Sequence, residues 1–312
     1  MRIVFMGTPE FAVASLEALI ASGKDVVGVV TAPDRPAGRG RKLKASAVKE
    51  AALRHQLPVL QPEKLKSPEF LEALQALNAD IQVVVAFRML PEVVWRMPAH
   101  GTFNLHGSLL PEYRGAAPIH WAVINGDTQT GVTTFFIDEK IDTGAIIDQR
   151  KMAIGPEDTT GQVHDRMMEL GAELVVDTVT AIETGQVQSM AQPKDKTFTP
   201  APKLNANNTR IDWSLPGKYI YNKVRGLNPF PGAWTELANG PEVLSVKIYR
   251  SGFSEDEHEM TPGSLLVGKK SIKVAVQDGW IDLLELKLPG KKSLAVSDLL
   301  NGYKIEEGAK VQ

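Results

Sequence analysis

Cysteine is absent from all 312 residues. No disulfide, thiol nucleophile or thiolate-bound zinc is therefore available. Such a chain fits a reducing compartment, and a cytoplasmic location is expected. No apolar run approaches the roughly 20 residues that span a bilayer. The N-terminal run Met1–Gly7 is too short for a secretory signal and soon meets Pro9. Neither sign of charge dominates: 35 Lys and Arg face 37 Asp and Glu, for a net charge of −2. A global electrostatic attraction to nucleic acid is thus excluded, and any such binding must use local patches. Internal repeats and low-complexity tracts are missing. So is G-x-G-x-x-G, because Gly7 stands alone after the first strand-like run, and a dinucleotide fingerprint is not expected.

What remains is an ordinary globular composition, 43% hydrophobic and 23% charged, at a length that suggests two domains. Arg2–Met6 and Val26–Val30 are continuous β-branched runs separated by a helical stripe through Phe11, Leu16 and Leu19. That alternation predicts a parallel sheet of βαβ units. Thr8 is expected to cap the first helix, with Pro9 in its first turn. Helices are predicted over 46–55, 68–77, 118–125 and 159–185, and a strand over 131–138. The most apolar strand, Ile81–Phe87, should be central. The polar runs Gly144–Gln149 and Met152–Ile154 suggest two shorter strands. Methionines in the long helix are expected in its core stripe.

Between Pro33 and Lys44, Arg35, Arg39, Arg41, Lys42 and Lys44 face a single acid, Asp34, among two prolines and two glycines. The composition predicts a mobile loop without regular structure. It leaves the carboxyl end of a strand, where open α/β sheets bind ligands. A proline-rich stretch with Asn205-Ala206-Asn207-Asn208 marks a linker, placed at 191–208. This divides the chain into a domain at 1–190 and another at 209–312. The second should open with a helix over 213–227. Five short strands then follow (233–237, 243–250, 264–267, 271–276 and 280–288), the pattern of a small open β-barrel of the kind that often binds oligonucleotides. A short helix is expected over 297–300.

Asn104-Leu105-His106-Gly107-Ser108 reads as a strand end breaking into a turn. Side chains alternate along a strand, so Asn104 and His106 share a face. A carboxamide can hold a developing oxyanion and an imidazole can move a proton, which are the needs of acyl transfer. Taken alone, the pair is also a common strand-end arrangement, and Asp142 before Thr143-Gly144 is a common turn. His55, His100 and His258 are expected at surfaces.

Together, Asn104-x-His106-x-Ser108-Leu109-Leu110-Pro111, Arg114-Gly115-x-x-Pro118 and Asp142-Thr143-Gly144 resemble the signature of the 10-formyltetrahydrofolate-dependent formyltransferases. The likeness runs from Phe5-x-Gly7-Thr8-Pro9 to Ile211-Asp212-Trp213 and Asn228-Pro229-x-Pro231-Gly232-Ala233. The basic loop resembles the branch that acts on tRNA. The resemblance implies a Rossmann-like N-terminal domain with a mostly parallel sheet, followed by an OB-like barrel that helps hold tRNA. It implies that Asn104, His106 and Asp142 are catalytic, and that Ser108, Leu109, Leu110 and Pro111 contact the folate. The five cations of the loop would contact tRNA. The co-substrate would be 10-formyltetrahydrofolate, and the acceptor the α-amino group of initiator methionyl-tRNA, for translation initiation. No metal, membrane or obligate protein partner is implied. One difference stands out: the family commonly has Tyr-Gly after its apolar strand, where this chain has Phe87-Arg88 and so a bulky cation near the expected folate pocket.

Asn205–Gln312 holds fourteen Lys and Arg against thirteen Asp and Glu. Its tRNA surface must therefore be local, with Lys269-Lys270, Lys273, Lys287 and Lys291-Lys292 as candidates. Two other activities share the same triad: formyl transfer to a nucleotide or sugar-nucleotide amine, and hydrolysis of the folate to release formate.

Overall fold

The computed structural model describes residues 1–37, 42–193 and 196–312. They form two compact units: 1–115, 129–153 and 164–200 in the first, and 116–128, 154–163 and 201–312 in the second. Among the described residues no helix is long and apolar enough to cross a membrane.

The first unit begins β1 (Arg2–Gly7), α1 (Glu10–Ala21) and β2 (Asp25–Val30), then β3 (Arg35–Ala37), β4 (Lys42–Lys44), α2 (Ala47–Arg54), β5 (Val59–Leu60), α3 (Pro68–Ala76), β6 (Ile81–Val85), α4 (Glu92–Trp95) and β7 (Thr102–His106). After the short β8 (Arg114–Gly115), and beyond α5 (Pro118–Ile124), which belongs to the second unit, come β9 (Gln129–Phe136), β10 (Ile146–Ala153) and α6 (Thr160–Glu183), whose first turn also belongs to the second unit. The sheet order is β10-β9-β7-β6-β1-β2-β5. Pairs among β7, β6, β1, β2 and β5 are parallel, while β9 and β10 add an antiparallel edge. The strand expected to be central, β6, is the fourth of seven and buried at every position. Full burial of a Val or Ile side chain stabilises by about 1.5–3 kcal/mol, which explains why this run is so apolar. Strand order reverses beside β1, the place where open α/β sheets take ligands.

Four expectations need correction. The basic segment is not wholly irregular. Arg35–Ala37 and Lys42–Lys44 pair as an antiparallel ribbon, with Pro36 opposite Leu43. A two-stranded ribbon has open edges, so a proline lacking its donor is tolerated there. Pro9, not Thr8, occupies the cap position of α1. The two polar strands expected near 144–154 are one, Ile146–Ala153, an edge strand on which Asp148 and Lys151 are exposed. The helix expected from Trp213 begins only at Gly217, because Asp212 accepts hydrogen bonds from the Ser214 N–H and hydroxyl, forming a turn that frees Trp213 for the core.

In the second unit, β11 (Pro200–Ala201), α7 (Ala206–Thr209) and α8 (Gly217–Gly226) precede β12 (Ala233–Asn239), β13 (Glu242–Ser254), β14 (Leu265–Val267), β15 (Ile272–Val276) and β16 (Gly279–Lys287). Then come β17 (Leu294–Ala295), α9 (Val296–Leu299) and β18 (Lys310–Val311). The antiparallel order is β14-β15-β16-β13-β12-β18, and a bridge between Ser264 and Lys310 nearly closes the barrel. β12 alternates strictly between buried and half-buried residues, as a strand with one face in the core must. The interior leaves only ≈ 20 Å³ between side chains such as Ile248, Leu283 and Val311, so it is a packed core rather than a ligand cavity. Ile124 belongs to this core, and a Cβ added to Gly226 would lie 2.9 Å from the Ile124 nitrogen. Thr160 Oγ1 donates to the Gly226 carbonyl at 2.7 Å, and Arg225 Nη1 donates to the Asp158 carbonyl at 2.8 Å.

Candidate active site

β7 ends at the carboxyl edge of the parallel sheet, between β6 and β9. As the alternation requires, Asn104 and His106 project from one face. The Asn104 side chain is half-buried and makes no hydrogen bond among the described residues. His106 is 6% exposed and meets the Phe135 ring edge-on at 6.5 Å. Its Nε2 lies 2.9 Å from the Tyr113 carbonyl oxygen. A carbonyl can only accept, so Nε2 carries the proton, and in the neutral ring Nδ1 is left as an acceptor. That atom lies 3.7 Å from Asp142 Oδ2. The structure thus brings Asn104, His106 and Asp142 into one neighbourhood from two segments of chain.

Asp142 sits in a tight loop at φ +54. Its Oδ2 accepts the Gly115 N–H at 2.9 Å. Beside it, Thr143 Oγ1 donates to Asp138 Oδ1 at 2.8 Å, closing the turn. Next in the chain, Gly144 lies so close to β9 that a Cβ would stand 1.7 Å from the Phe136 carbonyl oxygen. Only glycine fits there without moving the loop.

Ser108–Pro111 forms the turn after β7. Ser108 is fully buried, and its hydroxyl donates to the Glu112 carbonyl at 2.6 Å. Thr133 Oγ1 donates to the Ser108 carbonyl at 2.6 Å and accepts from the Leu110 N–H at 3.1 Å. Gln149 Nε2 donates to the Leu110 carbonyl at 2.8 Å. Leu110 packs in a small core with Phe135 and Ile146, while Leu109 and Pro111 remain half-buried. Within this turn, Leu109 and Pro111 thus offer surface, and Ser108 and Leu110 fix its shape. Thr133 and Gln149 were not foreseen: each stands in an ordinary strand pattern, and only the fold brings them to the turn.

Arg88 follows β6. Its guanidinium donates to the carbonyls of Glu63, at 2.9 Å, and Pro62. Burial and then nearby Arg35 hold its pKa below the usual guanidinium range. The cation is therefore tied back to the loop after β5. In the basic ribbon, Arg35 stands directly across from Lys44, both exposed. At its base, Asp34 bonds Lys49 and Gln61, which lower its pKa. Arg39 and Arg41 lie outside the described residues, and for Lys42 only the backbone is described.

The Formyl transferase family model matches residues 1–179, and the Formyl transferase C-terminal domain model matches 203–304. The methionyl-tRNA formyltransferase of Flavobacterium johnsoniae is 56% identical over 311 residues, covering 100% of this chain and 99% of that one. That of Bacteroides fragilis is 53% identical over 317 residues, covering 100% and 98%. The chain belongs to the methionyl-tRNA formyltransferase family. It is a formyl-transferring enzyme. Solved structures share the fold at lower identity. An N-formyltransferase from Helicobacter canadensis, solved with folinic acid and dTDP-3-aminofucose, matches at a TM-score of 0.65 and 20% identity, covering 90% of this chain and 98% of that one. HypX from Aquifex aeolicus, solved with tetrahydrofolic acid, matches at 0.63 and 20%, covering 96% of this chain and 47% of HypX.

Proposed function

We propose that this chain transfers the formyl group of 10-formyltetrahydrofolate to the α-amino group of methionine on initiator methionyl-tRNA, in the cytoplasm, for translation initiation. The observation that carries the mechanism is the fixed tautomer of His106, with Nε2 committed to the Tyr113 carbonyl and Nδ1 turned toward Asp142.

The folate supplies the formyl carbon: a C–N bond forms from the incoming amine, the bond to N10 breaks, and N10 takes up a proton. Asn104 donates its free amide N–H to the oxyanion that develops on the formyl oxygen. One such donor is worth about 3–4 kcal/mol of barrier. His106 accepts the amine proton at Nδ1 and can return it to the departing nitrogen. Asp142 stabilises the imidazolium in between, because a carboxylate beside a cation favours the charged ring. A free α-amino group has a pKa near 8, so no strong base is needed to take its proton. Leu109 and Pro111 offer apolar surface to the pterin, with Ser108 and Leu110 holding the turn behind them.

The unit of 1–115, 129–153 and 164–200 performs the chemistry, and the barrel unit helps hold the tRNA. Because the barrel interior is filled, nucleic acid must lie on its outer surface, where Lys269, Lys270, Lys291 and Lys292 are exposed. In the ribbon, Arg35 opposite Lys44 is a like-charge pair, which is unfavourable unless an anion lies over it. Phosphates of the acceptor arm meet that need, and Arg39, Arg41 and Lys42 add three more cations to the same stretch of sequence.

The test is radiolabelled formyl transfer from 10-formyltetrahydrofolate. Label on methionyl-tRNA is the expected result. Formate released at the same rate without any acceptor would identify a hydrolase, and transfer to a sugar-nucleotide amine but not to methionyl-tRNA would move the chain to the other branch.

A further inference from the structure

We propose that Gln192 is a positioning residue for formyl transfer, clamping the Asp142 loop so that the carboxylate stays in register with His106. The proposal rests on the catalytic role given to Asp142 above. A non-glycine residue at positive φ persists only when its surroundings fix it. For Asp142, part of that fixing comes through Gly115 on the carboxylate and Gly144 against β9. The rest comes from Gln192, a side chain distant in sequence.

Gln192 Nε2 donates to the Asp142 carbonyl at 3.0 Å and to the Gly144 carbonyl at 2.8 Å. A primary amide has two N–H groups, and both are used. Its Oε1 accepts from Arg114 Nε at 3.1 Å and Nη2 at 2.6 Å. The flipped amide would aim oxygen at two carbonyls and nitrogen at a guanidinium, so only one orientation is possible. Gln192 is 6% exposed with all its hydrogen-bonding groups engaged. Arg114 is itself held over the Phe198 ring at 5.4 Å.

Arg114 and Gly115 are consecutive. One short segment therefore grips Asp142 twice: by its carboxylate through Gly115, and by its main chain through Arg114 and Gln192. Fixing both ends of a residue removes its freedom to swing. That matters because the gap from Asp142 to His106 is 3.7 Å, where a small displacement weakens the support given to the imidazolium.

The experiment compares Gln192→Leu, which keeps the volume and removes every polar atom, with Gln192→Glu. The glutamate keeps Arg114 paired but cannot donate to the two carbonyls. Both should lower kcat by roughly tenfold to a hundredfold, the scale of a misplaced catalytic group. KM for folate and for methionyl-tRNA should stay within about twofold of wild type on the same reasoning. In an Asp142→Asn background, Gln192→Glu should add almost nothing, because Gln192 acts through Asp142. Wild-type kcat in the glutamate variant overturns the proposal, as does a loss that multiplies fully with Asp142→Asn. Failure of the wild-type chain to formylate methionyl-tRNA overturns the functional reading instead. Full activity in wild type, slow transfer in Asp142→Asn and full activity in both Gln192 variants overturn only the role of Gln192.

Discussion

In the parallel-sheet unit, Gln56, Asn78, Ala86, Tyr113 and Asp142 adopt positive φ; in the barrel unit, every described residue that does so is a glycine. Gln56 and Asn78 end helices. The other three border the site: Ala86 follows β6, the Tyr113 carbonyl holds His106, and Asp142 faces the imidazole. Left-handed backbone at a residue with a Cβ costs on the order of 1–3 kcal/mol and must be over-determined by its neighbours. The barrel carries no such burden: β12 follows simple alternation beside a filled interior, and β13 departs from it where it bulges against β16. One unit is shaped by its chemistry, the other by its packing, and the same kind of substitution should act differently in each.

The largest contrast is expected at the reacting groups. His106→Ala should slow transfer by roughly 10²–10⁴ and Asn104→Ala by roughly 10²–10³. Asn104→Ala should leave the melting temperature within a few degrees, since that side chain is half-buried and makes no hydrogen bond among the described residues. His106→Ala also removes a buried ring and its bond to the Tyr113 carbonyl, and should cost about 1–3 kcal/mol of stability as well. Steady-state kinetics beside calorimetry decides this, and a cooperative loss of stability without a loss of kcat would reverse the roles given to the two units. In the barrel, Ile248→Ala should cost about 2–5 kcal/mol of stability by opening a cavity. Formyltetrahydrofolate affinity of the folded protein should be unchanged, as read by titration at low temperature. An intermediate effect is expected at Thr133→Val, which strips both hydrogen bonds from the turn after β7. It should lose about 1–3 kcal/mol and raise KM for folate while sparing that for tRNA. The smallest effect belongs to the ribbon. Arg35→Glu with Lys44→Glu should raise KM for methionyl-tRNA and reduce its log–log salt slope by about one for each phosphate no longer neutralised. Unchanged tRNA kinetics at every salt concentration would leave the ribbon merely solvated.

Much of this was legible from local pattern. Asn104 and His106 share a face because strand period is two, and the run through Ile81–Val85 is central because it is apolar on both sides. The five barrel strands were delimited by their turns. What stayed hidden depends on distant partners. Gln192, between an alanine and a proline in an apparent linker, carries no local mark, and its partners lie some 50 residues upstream in the chain. The ribbon was read as loop because Pro36 and the glycines dominate its composition, whereas two strands alone leave room for a missing donor. Trp213 belongs to the barrel core and bonds Thr235 Oγ1 at 2.9 Å, so the helix assigned to it starts four residues later.

The second unit draws on 116–128 and 154–163 as well as on everything from 201 onward. On a ribosome, therefore, its first residues emerge ahead of the strands that complete the first unit. Ile124 must wait for Gly226 and its neighbours before it is covered. The barrel itself cannot close until β18 is free of the exit tunnel. A nascent chain halted near residue 200 would carry an unprotected apolar helix. Conversely, a fragment starting at residue 201 would lack one wall of its core. A contiguous piece from residue 201 onward leaves out Trp121 and Ile124, which pack in that core.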